Sequence, residues 1–349
     1  MKKLTAIILA ALVLLSVAGC NSASSSAPQA TTSTSGGASS ASEGYDKVKL
    51  KMSFSGTDAG IDGLVAAKMK EMLAEKSGGA VTLETFGNAQ LASGNMQRQV
   101  ELLIAGGSFE LGIIAETVMA DVDKSLYVTN IPFSFASYEE AYKMADSTGG
   151  EWSKKKLAEH GIVRIDCFSN GIMHLTNNKR AIKTPADLAG LKMRTYGDVQ
   201  MSLMKELGAD PINMNWSEVY SAMQMGTIDG HMNGYQTIDS ASIFEVQPYL
   251  TEASVIWSAY DIVASQKSWD KLSPKTQELI MSVSREAALW GREYMSEKEA
   301  TIKEKFTTAG VTITTLTQAE LDAFKQAASQ TRKSFMEQCG EEACTAWGI

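Results

Sequence analysis

Val48, Leu50, Met52 and Phe54 alternate with polar residues, a period of two that predicts a strand with one face buried. Ile61, Leu64, Val65, Met69, Met72 and Leu73 then recur at helical spacing, and Ser77-Gly78-Gly79 supplies the stop, since glycine tolerates a left-handed cap. VTLETF reads as a second strand, Met96 to Ala105 as a second helix and ELGIIAE as a third strand. The unit is β-α-β-α-β, which favours an α/β lobe with ligands beyond the carboxyl ends of its strands. Glu116 falls just past such an end, where it reads equally as a solvated loop acid. IPFSF, helices over SYEEAYKMA and Trp152 to Glu159, and the strand GIVRIDCF follow.

A second alternation begins near Gly171 with IMHLT as its strand. Thr184-Pro185-Ala186-Asp187 joins a capping residue, a first-turn proline and an acid, so a short helical turn should start there and end at Gly190. LKMRT then delivers Arg194 near a strand's carboxyl end, as a ligand group or as an ordinary salt-bridge partner. Val199 to Leu207 is helical, and Pro211 turns the chain into INMNW. Asn215 and Glu218 have capping-box spacing, which starts the next helix at Trp216 and sets an indole at its entrance rather than in an apolar stripe. TIDGHMNG carries Asp229, expected to be structural, and Asn233, whose amide can both donate and accept.

Ser273-Pro274 opens the longest helical pattern, running to about Thr307, or broken in two near Gly291. At about 1.5 Å per residue it would be on the order of 50 Å long, enough to serve two lobes as a shared spine. VTITTL is one more strand, and the TQAE box at Thr317 to Glu320 opens the last helix expected.

The first residues change the picture. Two lysines, an apolar run of signal-peptide length and LSVAGC read as an export signal. LSVAGC resembles a lipobox, which implies cleavage before Cys20 and lipidation of its thiol, hence a protein held at the membrane by acyl chains only. Residues 1–19 are then a lipoprotein signal peptide. Residues 20–44, rich in Ser, Ala, Thr and Gly, form a flexible lipid-anchored linker.

The formal charge is -8, and loss of the signal lysines makes the remainder more acidic. With no basic cluster, nucleic acid is excluded as a partner. Cys339 and Cys344 flank GEEA and are expected to form a small disulfide loop, while Cys167 in its apolar strand reads as a buried thiol. The histidines His160, His174 and His231 are scattered, giving no metal set and no triad. No nucleophile elbow, zinc-protease motif, Walker loop or dinucleotide fingerprint is present in its required context, so neither a cofactor nor a catalytic residue is assigned.

Two long stretches carry a resemblance: LTNNKRAIKTPADLAGLKMRTYG and GADPINMNWSEVYSAMQMGTIDGHMNG, supported upstream by KSGGAVTLETFGNAQL and IPFSF. They resemble the extracytoplasmic solute-binding proteins of TRAP (tripartite ATP-independent periplasmic) transporters, the DctP family. The resemblance implies a two-lobed periplasmic-binding-protein-like α/β fold, with crossing strands and a long helix spanning both lobes. Lobe I would be residues 45–170 plus about 259–298, and lobe II 171–258 plus about 299–349. One small organic acid would sit between them.

By the same resemblance Arg194 matches the carboxylate-binding arginine, Trp216 the aromatic cleft residue and Asn233 the cleft asparagine. Glu116 falls at a solute-contacting position. Met173 stands where many members have a second arginine, and Gly234 replaces a proline. Loss of the second cation points to a monocarboxylate, with His174 or a water as a substitute donor.

The expected function is therefore a lipid-anchored extracytoplasmic receptor, not an enzyme. It would deliver an acid to the small and large TRAP membrane subunits for ion-gradient-driven uptake. A sensory lipoprotein signalling to a membrane receptor, or an exported enzyme, are the alternatives left open at this point.

Overall fold

The computed structural model describes residues 44–349, so the signal and lipidation at Cys20 lie outside the described residues. The chain begins with β1 (Val48–Phe54), α1 (Ile61–Lys76), β2 (Val81–Phe86), α2 (Met96–Ala105) and β3 (Leu111–Ala115), the alternation expected from its periodicity. Next come α3 (Glu116–Met119), α4 (Tyr138–Ala145), α5 (Thr148–Ala158) and β4 (Ile162–Ile172). The second alternation is β5 (His174–Asn177), β6 (Lys192–Thr195), α6 (Gly197–Glu206), β7 (Asp210–Asn213), α7 (Trp216–Gln224), β8 (Gly230–Asn233), α8 (Tyr235–Ser240) and β9 (Tyr249–Glu252). The chain closes with β10 (Trp257–Ser265), α9 (Gln266–Trp269), α10 (Pro274–Thr308), β11 (Thr312–Thr315), α11 (Gln318–Ala327), α12 (Ser329–Cys339) and α13 (Glu341–Trp347).

These strands form two sheets, one ordered β2-β1-β3-β10-β4 and the other β11-β9-β5-β8-β6-β7. β1 lies parallel to β2 and β3, whereas β10 runs antiparallel to β3 and β4. The chain passes between the sheets at Met173, between β4 and β5, and again at residues 253–256, between β9 and β10. The two crossings are bonded to each other: Met173 N donates to the Ile256 carbonyl at 2.7 Å, and Val255 N to the Met173 carbonyl at 2.9 Å.

α10 is one unbroken helix of 35 residues. Its first half packs Leu279, Ile280, Val283 and Ala287 into a core with α1 and the first sheet. Its far end places Ile302 and Phe306 in a separate core with α7 and α8. Gly291 continues the helix instead of breaking it, because α1 approaches there: a Cβ at 291 would stand 2.8 Å from Val65 Cγ2. No helix among the described residues is long and apolar enough to cross a membrane.

Four local expectations differ from the structure. Pro211 lies inside β7 rather than at a turn; β7 is an edge strand, where a missing N–H costs no ladder bond. The box at Thr317 and Glu320 does cap α11, but two further helices follow it. α13, expected with the second lobe, packs on α5, with Trp347 pressed over Gly149 and beside Phe135. Cys339 and Cys344 are both free and buried. Each thiol faces a different backbone carbonyl, that of Lys124 at 3.8 Å and that of Met336 at 3.6 Å, so the expected disulfide is absent.

Candidate functional site

A cleft runs between the two sheets, and Met173, Arg194, Trp216 and Asn233 all line it, together with Asn170, Gln200 and Tyr260. It holds a small space of about 50 Å³, partly open to solvent. Arg194 is the one charged residue in the lining. It is reached through β6, which lies parallel to β7 and β8 with Arg194 opposite Ile212 and His231.

Arg194 is 5 % exposed, and among the described residues its guanidinium has no carboxylate partner. Its Nε and one terminal nitrogen donate to the Met214 carbonyl, at 3.1 and 2.9 Å, which fixes one edge of the fork and leaves Nη1 unengaged. The rings of Tyr196 and Trp216 each lie 5.8 Å from its central carbon. Burial pulls its pKa down to about 10, so it remains cationic at neutral pH. A buried, unpaired cation is costly unless something compensates it.

The surroundings keep this charge single. His231 stacks on Trp216 at 6.0 Å and has its Nδ1 2.6 Å from the Thr176 hydroxyl. Burial, helped by Arg194's own charge, depresses the His231 pKa to about 3, so its ring is neutral. Trp216 stands at the first turn of α7, as its spacing predicts, but the capping box does not form. Asn215 Oδ1 accepts instead from the backbone N–H of Met96, across the cleft mouth.

Glu116 is placed elsewhere. It is fully buried at the start of α3, where its carboxylate accepts from the Thr129 hydroxyl; its neighbours Ala115, Thr117 and Val118 line the cleft in its stead. Nearby, Arg164 Nε is 2.8 Å from Asp261 Oδ1, a buried pair. Burial, opposed by Arg164, pushes the Asp261 carboxyl well above the usual range. His174 also turns away, its ring 5.2 Å from Tyr235 and its Nδ1 accepting from Ser254 N at 3.4 Å, so it is not the substitute donor. Asp229 is structural as expected, accepting from Lys192 N at 3.0 Å.

Sequence reasoning missed Asn170 and Gln200. Asn170 lies within β4 and Gln200 within α6, positions with no local signature. Asn170 Nδ2 donates to Asn233 Oδ1 at 2.9 Å, and the Thr237 hydroxyl donates to Asn170 Oδ1. Gln200 Nε2 lies 3.7 Å from the Met173 thioether, so the position of the missing arginine is faced by an amide.

Two sheets joined by paired crossings and a shared helix define the two-lobed architecture of periplasmic binding proteins. Residues 56–338 match the family described as bacterial extracellular solute-binding protein, family 7 (DctP), and the chain belongs to that family. It is 30 % identical over 275 residues to the 2,3-diketo-L-gulonate-binding periplasmic protein YiaO of Escherichia coli K12, covering 78 % of this chain and 82 % of that one. The C4-dicarboxylate-binding periplasmic protein DctP of Vibrio cholerae is 27 % identical, over 77 % of this chain and 81 % of the relative. In fold the chain is similar to a TRAP periplasmic solute-binding protein of Ralstonia eutropha H16 solved with (S)-2-acetolactate, with a TM-score of 0.83 and 22 % identity, covering 86 % of this chain and 98 % of that one.

Proposed function

We propose that the protein is the extracytoplasmic receptor of a TRAP transporter, and that it binds a small organic acid through a bidentate pair between the solute carboxylate and Arg194. The observation that carries this reading is the buried guanidinium without an anionic partner in an interlobe cleft. A carboxylate supplies the missing charge and matches the planar fork, and charge-assisted bonds strengthen away from water. The acids named for the two curated relatives fit such a site. Trp216 and Met173 would pack the solute's apolar part, and Asn233 would donate to it, while Glu116 would act from behind the cleft wall, where it accepts from the Thr129 hydroxyl.

In this reading the first sheet with residues 45–170 and about 259–298 forms one lobe. Residues 171–258 with the second sheet and the chain from about 299 form the other, apart from α13. Binding favours the closed arrangement because the solute touches both. The loaded receptor, held at the membrane by a lipid on Cys20, hands its acid to the small and large TRAP membrane subunits for ion-driven uptake, with no chemical change to the solute.

The test is a thermal-shift screen of the purified protein against organic acids, followed by calorimetry of Arg194→Ala with each hit, since a ligand of the native state raises apparent stability. Hits that bind the folded variant as tightly as the parent would overturn the reading.

A further inference from the structure

Three side-chain amides line the cleft, and in two of them, Asn233 and Gln200, a backbone N–H decides which way round the amide sits. An amide's oxygen and nitrogen trade places on a half-turn, so the neighbours set the orientation. Gly234 N lies 3.2 Å from Asn233 Oδ1, and a backbone N–H can only donate. The Asn233 oxygen is thereby held on the protein side, where it also accepts from Asn170 Nδ2 at 2.9 Å. Asn170 is held in turn by the Thr237 hydroxyl at its Oδ1. Asn233 Nδ2 is left without a partner among the described residues.

Gln200 repeats the arrangement. Its Oε1 accepts the backbone N–H of Tyr196 at 3.1 Å, and its Nε2 meets only the weakly accepting sulfur of Met173. Asn170, Gln200 and Asn233 are 5 %, 2 % and 4 % exposed, so none of the three turns freely in water. With Arg194, the polar groups fixed toward the solute are all donors, and no carboxylate lines the cleft. Among the lining side chains of the described residues, hydroxyls such as those of Thr117, Ser258 and Tyr260 are left to accept.

We infer that the Asn170–Asn233 pair and Gln200 make the cleft selective for an acid bearing a second acceptor beside its carboxylate, preferring a 2-oxo acid to its 2-hydroxy analogue and refusing the 2-ammonium analogue. The inference rests on the assignment of the carboxylate to Arg194. An ammonium group has only protons to offer and would face two N–H groups and a cation. A hydroxyl can accept from them, but its own proton must still find an acceptor. An oxo oxygen accepts and asks for nothing further. Asn170 does not touch the solute; it is a positioning residue that fixes the turn of Asn233.

The test is calorimetry on the purified full chain with matched triples of one carbon skeleton: pyruvate, lactate and alanine; 2-oxobutanoate, 2-hydroxybutanoate and 2-aminobutanoate; 4-methyl-2-oxopentanoate, its 2-hydroxy analogue and leucine. In the skeleton that binds best, the oxo acid should bind more tightly than the hydroxy acid and at least about tenfold more tightly than the amino acid. Asn170→Asp puts an acceptor against Asn233 and should turn its oxygen toward the solute, reducing that ratio by about tenfold. Gln200→Glu should do the same by presenting an oxygen directly.

A loss equal for all three members of a triple in Asn170→Asp would show a merely structural role and remove Asn170 from the inference. An amino acid binding as well as its oxo partner, with both lost in Arg194→Ala, would overturn the donor-only cleft and leave the Arg194 reading standing. If no triple binds while another acid binds and is lost in Arg194→Ala, the inference fails and the Arg194 reading stands; if binding survives in Arg194→Ala, the carboxylate reading itself fails, and the inference with it.

Discussion

Gln236, in the first turn of α8, caps α1 from across the cleft: its Oε1 accepts from Ile61 N at 3.0 Å and its Nε2 donates to the Ala59 carbonyl at 2.9 Å. Helix α1 has no side-chain cap of its own, Gly60 standing at that position. At the opposite lip Asn215 does the same service for Met96 at the head of α2. Each bond joins an element of one sheet's layer to an element of the other's, so each should break when the lobes part. Gln236→Ala should therefore weaken solute binding about fivefold to tenfold by losing two such bonds, mainly through faster dissociation. Stopped-flow dissociation at the parent rate would contradict this.

Arg194→Lys keeps the charge and loses the fork, as well as the pair of hydrogen bonds donated to the Met214 carbonyl. Solute affinity should fall by at least about a hundredfold, close to the effect of Arg194→Ala, because a buried charge-assisted bidentate pair is worth on the order of 3 kcal/mol. Calorimetry of both variants decides it; a lysine variant that binds like the parent would mean that charge alone suffices.

Acid should destabilise the protein from about pH 6.5 downward. Burial depresses His231 to about 3 and His174 to about 4, from an ordinary value of 6.5, so below that value the unfolded chain takes up protons that the folded chain refuses. The loss grows as the pH falls and levels off only near the folded values. Buried Asp62 opposes it, since its pKa is raised to about 6 and the folded chain gains relative stability as the pH falls from there towards 4. Asp261, likewise raised by burial, opposes it as well, so the histidine share is isolated by substitution. At pH 5 the His231 share alone is roughly 2 kcal/mol. The melting temperature should be lower at pH 5 than at pH 7, and the gap should narrow in His231→Gln; an unchanged gap would rule His231 out.

Gly291→Ala should lower the melting temperature although alanine favours helices. Helix propensity gains about 1 kcal/mol, while forcing a methyl to 2.8 Å from Val65 Cγ2 costs about 1–3 kcal/mol in a packed core. Adding Val65→Ala to Gly291→Ala should cost less than Val65→Ala costs in the parent. Simple additivity in thermal unfolding would mean that the two residues do not meet.

Much of the scaffold was legible because its signals are local. Alternation over 48–54, the glycine stop after Lys76 and the Thr317–Glu320 box each act within a few residues, and each stands in the structure. The place of Arg194 near the carboxyl end of β6 was legible from the strand pattern, while its assignment as a ligand group came from the resemblance alone. The failures share a cause: their partners are distant in sequence. Asn215 has the spacing of a cap, but its oxygen serves Met96. Glu116 follows a strand end, yet α3 begins there and Thr129 takes its carboxylate. Asn170 and Gln200 reach the cleft only because β4 and α6 are packed where they are, and nothing within either element announces it.

Met173 occupies a cleft wall and one of the two chain crossings at once, bonded through its main chain to Val255 and Ile256. The residue proposed to meet the solute is thus also a stitch in the ribbon about which the lobes would turn. A change of side chain there should alter which acid fits and also the torsional stiffness of the joint, so that taste for a solute and ease of movement are tuned together at this position. An engineer who restores an arginine at 173 to recruit a dicarboxylate is also altering the spring.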